Sequence, residues 1–279
     1  MSALGSAAWR VLNYGMRTDY HMHTPLCGHA VGAPRDYVLA AQRAGLAEIG
    51  FSDHNPMSTQ FDDWRMAPDQ LPEYVALIEE ARREFPDYPI RLGLECDFIA
   101  GHESHVQKLS TLADWDYLIG SVHYITPEWD VDNPKHLKRW TEQPVEEIWQ
   151  RYFDAYTAMA ESCLFDFLAH PDLVKKFGHR PAGDLMRFYR PTLDAIAEAG
   201  AVLEVSTAGL RKEVGEIYPS REFLVAARER QIPIVINSDA HAPGEVAHEF
   251  DRAYALVRDV GYTHVMRFSG RKAKAVRIE

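Results

Sequence analysis

Seven short runs rich in apolar and β-branched residues recur along the chain, separated by stretches with helical periodicity. The runs are TDYHMH (18–23), AEIGFSDH (47–54), IRLGLECDF (90–98), YLIGSVHYI (117–125), FDFLAHP (165–171), AVLEVS (201–206) and IPIVINSDAH (232–241). Between them, PRDYVLAAQRAG, PDQLPEYVALIEEARREF, PVEEIWQRYFDAYTAMAES and SREFLVAARERQ carry apolar residues every three to four positions. Pro34, Pro68, Pro144, Pro191 and Pro219 stand near the expected helix starts, where a missing N–H costs little. GEVAHEFDRAYALVRDVG adds a helix and THVMRFS a last strand. Such alternation predicts an α/β fold, a parallel sheet with helices packed outside it. The chain has neither a GxGxxG nor a Walker A sequence, which favours a closed barrel over an open nucleotide-binding sheet. Its 279 residues are enough for one barrel domain spanning 1–279.

In a parallel barrel, function is built at the C-terminal ends of the strands. Those ends read His21 and His23, Asp53 and His54, Glu95, His123, His170, then Asp239 and His241. Only the run AVLEVS lacks a terminal ligand; AGLRKEVGEIYPS follows it and supplies Arg211 and Lys212. His21 and His23 lie two apart on a strand, so both rings point to one face, the interior of a barrel. Thirteen histidines in 279 residues would give fewer than one His-x-His pair by chance, so the pair alone says little. The recurrence of ligands at strand ends says more. Imidazoles and carboxylates buried together need cations, and that donor set suits Zn, Fe or Mn rather than Ca or Mg. His102, His105, His136, His179, His248 and His264 fall in expected helices or loops and read as ordinary polar residues. Cys96 reads as outward core packing and Cys27 as a loop residue off the ligand face. Trp115 and Trp149 read as core.

The formal charge of −11 and pI near 5.6 argue against a general nucleic-acid binder, although bound cations can reverse the potential locally. Cys27, Cys96 and Cys163 are few, odd in number and widely spread, which fits a reducing compartment better than a disulfide framework. The amino-terminal MSALGSAAWRVLNYG has no long apolar run, and no window approaches the ~20 apolar residues of a membrane span. The expectation is a cytoplasmic protein with no membrane partner.

The motifs HMH, GFSDH, LGLECD, GSVHY, LAHPDL and NSDAH, in this order, resemble those of the polymerase and histidinol phosphatase (PHP) superfamily over residues 18 to 242. The segment EVSTAGLRKEVGEIYPS resembles its histidinol-phosphate phosphatase branch. The resemblance implies a distorted (β/α)7 TIM-like barrel with two to three divalent metal ions. It implies His21, His23, Glu95 and Asp239 around a first metal. Glu95 would bridge to a second with His123 and His170, and a third would take His29, His54 and His241.

The chemistry such a cluster permits is phosphate-ester hydrolysis, and the resemblance implies L-histidinol phosphate as the ester, in histidine biosynthesis. Two metals sharing a water lower its pKa enough to give hydroxide near neutral pH. Arg211 is expected to clamp the phosphate as a paired donor, with Lys212 beside it and Ser206 near by. Lys175 or Lys176 is a second phosphate candidate, with surface solvation the plainer reading for both. Asp53 or His241 is the candidate proton donor to the leaving alkoxide, and orientation of the ligands is the plainer role for Asp53. Asp172, Glu213 and Glu216 are candidates for the polar rim facing the substrate amine and imidazole. Three alternatives stay open. The first is a nucleotide phosphoesterase, nuclease or broad phosphomonoesterase, which the lack of a basic, aromatic-interleaved run disfavours for a nucleic-acid strand. The second is an amidohydrolase-type enzyme acting on C–N bonds. The third is a non-catalytic metal or phosphate binder. A barrel surface can also support a homo-oligomer, with no marked patch in the sequence.

Overall fold

The computed structural model describes residues 17–59 and 61–278, so the amino-terminal segment read above for targeting features lies outside the described residues. Strands β1 (Thr18–Asp19), β2 (Glu48–Phe51), β3 (Ile90–Asp97) and β4 (Tyr117–Ser121) precede a two-stranded ribbon, β5 (Tyr124–Thr126) and β6 (Trp129–Asp130). Then come β7 (Phe167–Leu168), β8 (Val202–Ser206), β9 (Ile234–Asn237) and a terminal hairpin, β10 (His264–Ser269) with β11 (Lys272–Arg277). The helices are α1 (Pro34–Arg43), α2 (Leu71–Glu84), α3 (Glu103–Leu109), α4 (Val145–Glu161), α5 (Met186–Ala199), α6 (Arg221–Glu229) and α7 (Phe250–Val260).

Among the described residues, one parallel sheet runs β1-β2-β3-β4-β7-β8-β9. Its two edges meet through a parallel bridge between Met22 and Ala240. There the His23 N–H donates to the Ala240 carbonyl at 2.9 Å, and the Ala240 N–H donates to the His21 carbonyl at 2.9 Å. The result is the nearly closed seven-stranded barrel that the alternation predicts.

Strand pleating sorts the side chains. In β3, Leu92, Leu94 and Cys96 join the core between sheet and helices, while Gly93, Glu95 and Asp97 take the opposite parity. β8 and β9 repeat this, with Leu203, Val205, Ile234 and Ile236 outward. A separate inner cluster of Tyr20, Tyr117, Ile119, Phe167, Val202 and Val235 fills the barrel, closed by Phe268 from β10. Further along the same strands the inner positions turn polar: Glu204, Ser206, Asn237, Glu95 and Asp97 are all buried. The apolar end supplies the packing, and the polar end has to be satisfied by something else. Outside, α4 buries Ile148, Trp149, Tyr152, Phe153, Tyr156 and Met159 at helical spacing, and α5 packs against it.

Three local expectations need correction. The run 117–125 is not one strand: β4 stops at Ser121, and His123 lies on the turn into the β5–β6 ribbon. THVMRFS does form the expected last strand, β10, which pairs antiparallel with β11 outside the barrel sheet. Pro191 sits inside α5 rather than at its start, since the Asp184 carboxylate accepts from the Met186 N–H at 2.9 Å and starts the helix earlier. Likewise α2 begins at Leu71, so Pro72, not Pro68, occupies its first turn. No helix among the described residues is long and apolar enough to cross a membrane.

Glycine is required where Tyr117 crosses the barrel. A Cβ at Gly93 would lie 2.1 Å from the Tyr117 ring, and one at Gly50 would lie 2.2 Å from its hydroxyl oxygen. Gly93→Ala is expected to destabilise the fold by about 1–3 kcal/mol through overpacking. A Tyr117→Leu background should recover part of that loss, which a urea double-mutant cycle measures. Equal losses in both backgrounds would contradict the packing account.

Candidate metal centre

Glu95 is the hub of the barrel mouth. Its Oε2 lies 3.3 Å from His21 Nε2, 3.6 Å from His23 Nε2 and 2.9 Å from His54 Nδ1. Its Oε1 lies 3.1 Å from His170 Nε2 and 3.9 Å from His123 Nε2. Asp239 Oδ1 approaches His23 Nε2 at 3.2 Å and His21 Nε2 at 3.7 Å. The His241 ring stacks on His23 at 4.0 Å and on His29 at 4.6 Å, which brings the loop residue His29 into the same group. The nine residues expected as ligands therefore gather at one end of the barrel, and four of the triads within metal-chelating reach include at least two of them.

The electrostatics of this group are unusual for a protein interior. Burial alone would raise the Glu95 carboxyl, yet His54 and His21 hold it well below the usual carboxylate range. Burial opposes a charge on His23, but the neighbouring Asp239 and Asp53 carboxylates carry its imidazole up to about 9. Burial and the neighbouring Asp97 act in the same opposed way on His123, which ends at about 10. Burial drives His54 down to about 4 and His241 well below its ordinary value. Among the described residues, His21 Nε2, both ring nitrogens of His23, His54 Nδ1, His170 Nδ1 and Glu95 Oε2 make no hydrogen bond. Buried polar atoms normally have partners, and of these orphans His21 Nε2, His23 Nε2, His54 Nδ1 and Glu95 Oε2 face one another, which fits a divalent cation, as does the nitrogen–oxygen donor set. His170 and Asp239 hold left-handed backbone conformations (φ 27° and 52°), a strain typical of functional positions.

A surrounding layer aims the ligands. His21 Nδ1 lies 2.8 Å from Glu204 Oε1, and Glu204 Oε2 accepts from the His170 N–H at 2.8 Å. His123 Nδ1 lies 2.8 Å from Asp97 Oδ1, while Asp97 Oδ2 accepts from Arg65 Nη2 at 2.8 Å. Despite burial, the charges of His123 and Arg65 hold the Asp97 carboxyl well below its usual range. Asp53 is fully buried behind His23, 3.4 Å from Nδ1, and its oxygens accept from the His54 N–H and from the backbone and hydroxyl of Thr24. Such contacts fix ring tautomers and orientation. Cys27 is buried with its thiol pushed up to about 12 by burial and the Asp53 charge, and Cys96 packs in the outer core.

Above the ligands opens a cavity of about 450 Å³, sized for one small ligand. His29, His54, Glu95, His123, His170, Asp239 and His241 reach it together with Lys135, Lys176 and Lys212. Trp64 overhangs the site, 4.7 Å from the His54 ring, its Nε1 donating to Asp130 Oδ2 at 3.1 Å.

Several sequence expectations about substrate contacts fall elsewhere. Arg211 does not line the cavity: Nη2 donates to the carbonyls of Ser238 (2.9 Å) and Asp239 (2.8 Å), and Nε lies 3.3 Å from Glu245. Ser206 Oγ accepts from the Ala208 N–H as a helix cap and also stays out of the cavity lining. Surface solvation fails for both neighbouring lysines. Lys175 is fully buried, 2.8 Å from Asp172, and Lys176 lines the cavity, 3.0 Å from Asp132. Asp172 Oδ2 is engaged by Lys175 and the Ser220 N–H, Glu216 pairs with Arg180, and neither residue lines the cavity. Besides Glu95 and Asp239, the acids that line the cavity are Asp63, Asp130 and Asp132. Glu213 is also absent from the lining.

Residues 19–208 match the PHP domain family. The chain belongs to that family. It is 46% identical over 245 residues to a Deinococcus radiodurans protein named "Probable histidinol-phosphatase", covering 87% of this chain and 93% of the other. It is 29% identical over 261 residues to the histidinol-phosphatase of Bacillus subtilis, covering 84% and 97%. Among solved structures, the histidinol phosphate phosphatase of Lactococcus lactis, complexed with zinc, L-histidinol and phosphate, shares the fold. Its TM-score is 0.79 at 23% identity, over 92% of this chain and 98% of that one. This PHP chain lies in the histidinol-phosphatase branch.

Proposed function

We propose that this chain is a metal-dependent phosphomonoesterase that converts L-histidinol phosphate and water to L-histidinol and phosphate. The observation that carries the chemistry is the convergence of unpartnered buried imidazole and carboxylate atoms on Glu95 beneath a lysine-bearing cavity. The histidinol-phosphatase names of its PHP relatives, one at 46% identity, support the substrate. The full chain is read as one barrel domain, and free Cys27, Cys96 and Cys163 agree with a reducing, cytoplasmic setting.

Two to three divalent ions, Zn, Fe or Mn, would be held by His21, His23, Glu95 and Asp239, by Glu95, His123 and His170, and by His29, His54 and His241. When bound, such ions activate water and neutralise phosphate oxygens. The chain's own cations at the phosphate are Lys176 and Lys212, both on the cavity wall. Arg211 contributes by tying down the Ser238–Asp239 carbonyls and hence the Asp239 ligand. Asp53 is a positioning residue, with its oxygens engaged behind His23. His241, held neutral by burial and by His23, suits ligation better than proton donation. Of the cavity's other acids, Asp132 is paired with Lys176, and Asp63 and Asp130 suit the substrate's amine and imidazole.

The test is phosphate release from L-histidinol phosphate in parallel with a nucleotide, an aryl phosphate and single-stranded DNA. We expect at least about a hundredfold preference in kcat/KM for histidinol phosphate, because a site built around polar groups rejects substrates that leave them unpaired. Turnover of the other substrates with none of histidinol phosphate would overturn the substrate assignment and keep the metal chemistry.

A further inference from the structure

The loop after β8 folds back on itself. Residues Thr207–Arg211 form a short 3-10 turn, and the returning chain pairs Tyr218 with Ser206 through backbone bonds of 2.6 and 2.9 Å. This closure needs glycine at 209: a Cβ there would lie 2.0 Å from the Glu216 carbonyl oxygen and 2.9 Å from the Tyr218 ring. The other side of the fold-back is pinned by Lys175, whose Nζ donates to the Ile217 carbonyl at 2.9 Å and sits 5.4 Å from the Tyr218 ring centroid. The Tyr218 ring is thus fixed at 1% exposure on the wall of the cavity, alongside Lys176, Lys212, His170 and Asp239.

Its hydroxyl makes no hydrogen bond among the described residues. Among the buried tyrosine hydroxyls of the described residues it shares this only with that of Tyr262, which lies off the cavity, and differs from those of four tyrosines that pack on and in the barrel. Tyr74 donates to the Gly93 carbonyl, Tyr117 to Tyr20, Tyr152 to His170 and Tyr156 to Ala169. A buried hydroxyl without a partner is costly, and a rigid cavity-wall residue has no freedom to find one elsewhere in the protein. The missing partner is therefore a ligand. Tyr218 lines the same cavity as Lys176 and Lys212, and a phenol hydroxyl without a partner suits an acceptor oxygen of the bound molecule. Burial and the Asp172 charge hold the phenol well above its ordinary value, so it stays a donor.

The geometry points to Tyr218 as a substrate contact whose hydroxyl donates a hydrogen bond to a phosphate oxygen seated between Lys176, Lys212 and the histidine–carboxylate cluster. The assignment builds on the phosphate-ester reading, and inorganic phosphate serves as a probe that does not depend on the choice of ester.

Tyr218→Phe removes the oxygen and nothing else. With metal-loaded full-length protein, phosphate affinity read by calorimetry should weaken roughly ten- to a hundredfold, the range for a hydrogen bond to a charged group. kcat/KM for L-histidinol phosphate should fall by a similar factor. The melting temperature without phosphate should hold or rise, since a buried unpaired hydroxyl is lost. Tyr262→Phe is the control: its hydroxyl is also buried and unpartnered but lies off the cavity, and phosphate binding should not change. A lower melting temperature in Tyr218→Phe with phosphate affinity intact would show a structural role and overturn the proposal, as would no phosphate binding by the wild type. Weakened phosphate binding in a protein that never hydrolyses histidinol phosphate would sink the substrate reading and leave this contact standing.

Discussion

Glu95→Gln should reduce phosphate release by about a thousandfold or more, equivalent to roughly 4 kcal/mol of barrel-mouth catalysis. The substitution keeps the shape of the side chain and removes its charge. Five imidazoles, those of His21, His23, His54, His123 and His170, lie within 3.9 Å of the Glu95 carboxylate oxygens. A neutral amide at that hub cannot bridge cations, and its NH2 would face ring nitrogens. Metal analysis of the purified variant should show at least one ion fewer per chain than the wild type. Full metal content with near-normal turnover would contradict the role assigned to Glu95.

Arg65→Met should cost stability as well as activity. Arg65 is almost fully buried and is the cation facing Asp97 at 2.8 Å; it also reaches Asp62 at 2.6 Å and the Asn55 carbonyl at 3.2 Å. Removing it leaves the Asp97 carboxylate buried without its guanidinium partner, a change worth roughly 3–5 kcal/mol. Because Asp97 aims the His123 ring, metal affinity should also drop about ten- to a hundredfold. A urea titration of the metal-free protein reads the first effect, and metal retention during dialysis against a graded chelator reads the second. An unchanged midpoint with unchanged retention would mean that the Arg65–Asp97–His123 chain is incidental.

The barrel and the gathering of the inner candidate ligands at its mouth were legible because strand parity and strand ends encode them. Ligands at the ends of successive apolar runs have one place to meet once those runs close into a barrel. The family resemblance added His29, a loop residue that no periodicity marks. The aiming residues were harder, though two of them carried a signal. Glu204 is the lone acid inside the apolar run VLEVS, at the parity of the polar inner face, so the one strand that lacked a terminal ligand still serves the site. Asp97 stands two residues beyond Glu95 and shares its face. Arg65, Trp64 and the Asp63, Asp130 and Asp132 wall had no such marker. They lie in an irregular loop and on a ribbon formed where the fourth run breaks at Ser121, and only tertiary packing brings them over the ligands. For Arg211 the sequence was ambiguous for a related reason: a guanidinium next to a phosphate site can equally hold backbone carbonyls, as Nη2 does here, and sequence does not separate the two.

The most direct test of the central claim is a metal titration. The protein is stripped with a chelator, and phosphate release from L-histidinol phosphate is followed as Zn2+ or Mn2+ is returned. We predict no turnover in the stripped protein and activity that rises to a plateau at two to three ions per chain. Turnover that survives complete metal removal, or a fully loaded protein that releases no phosphate, would contradict it.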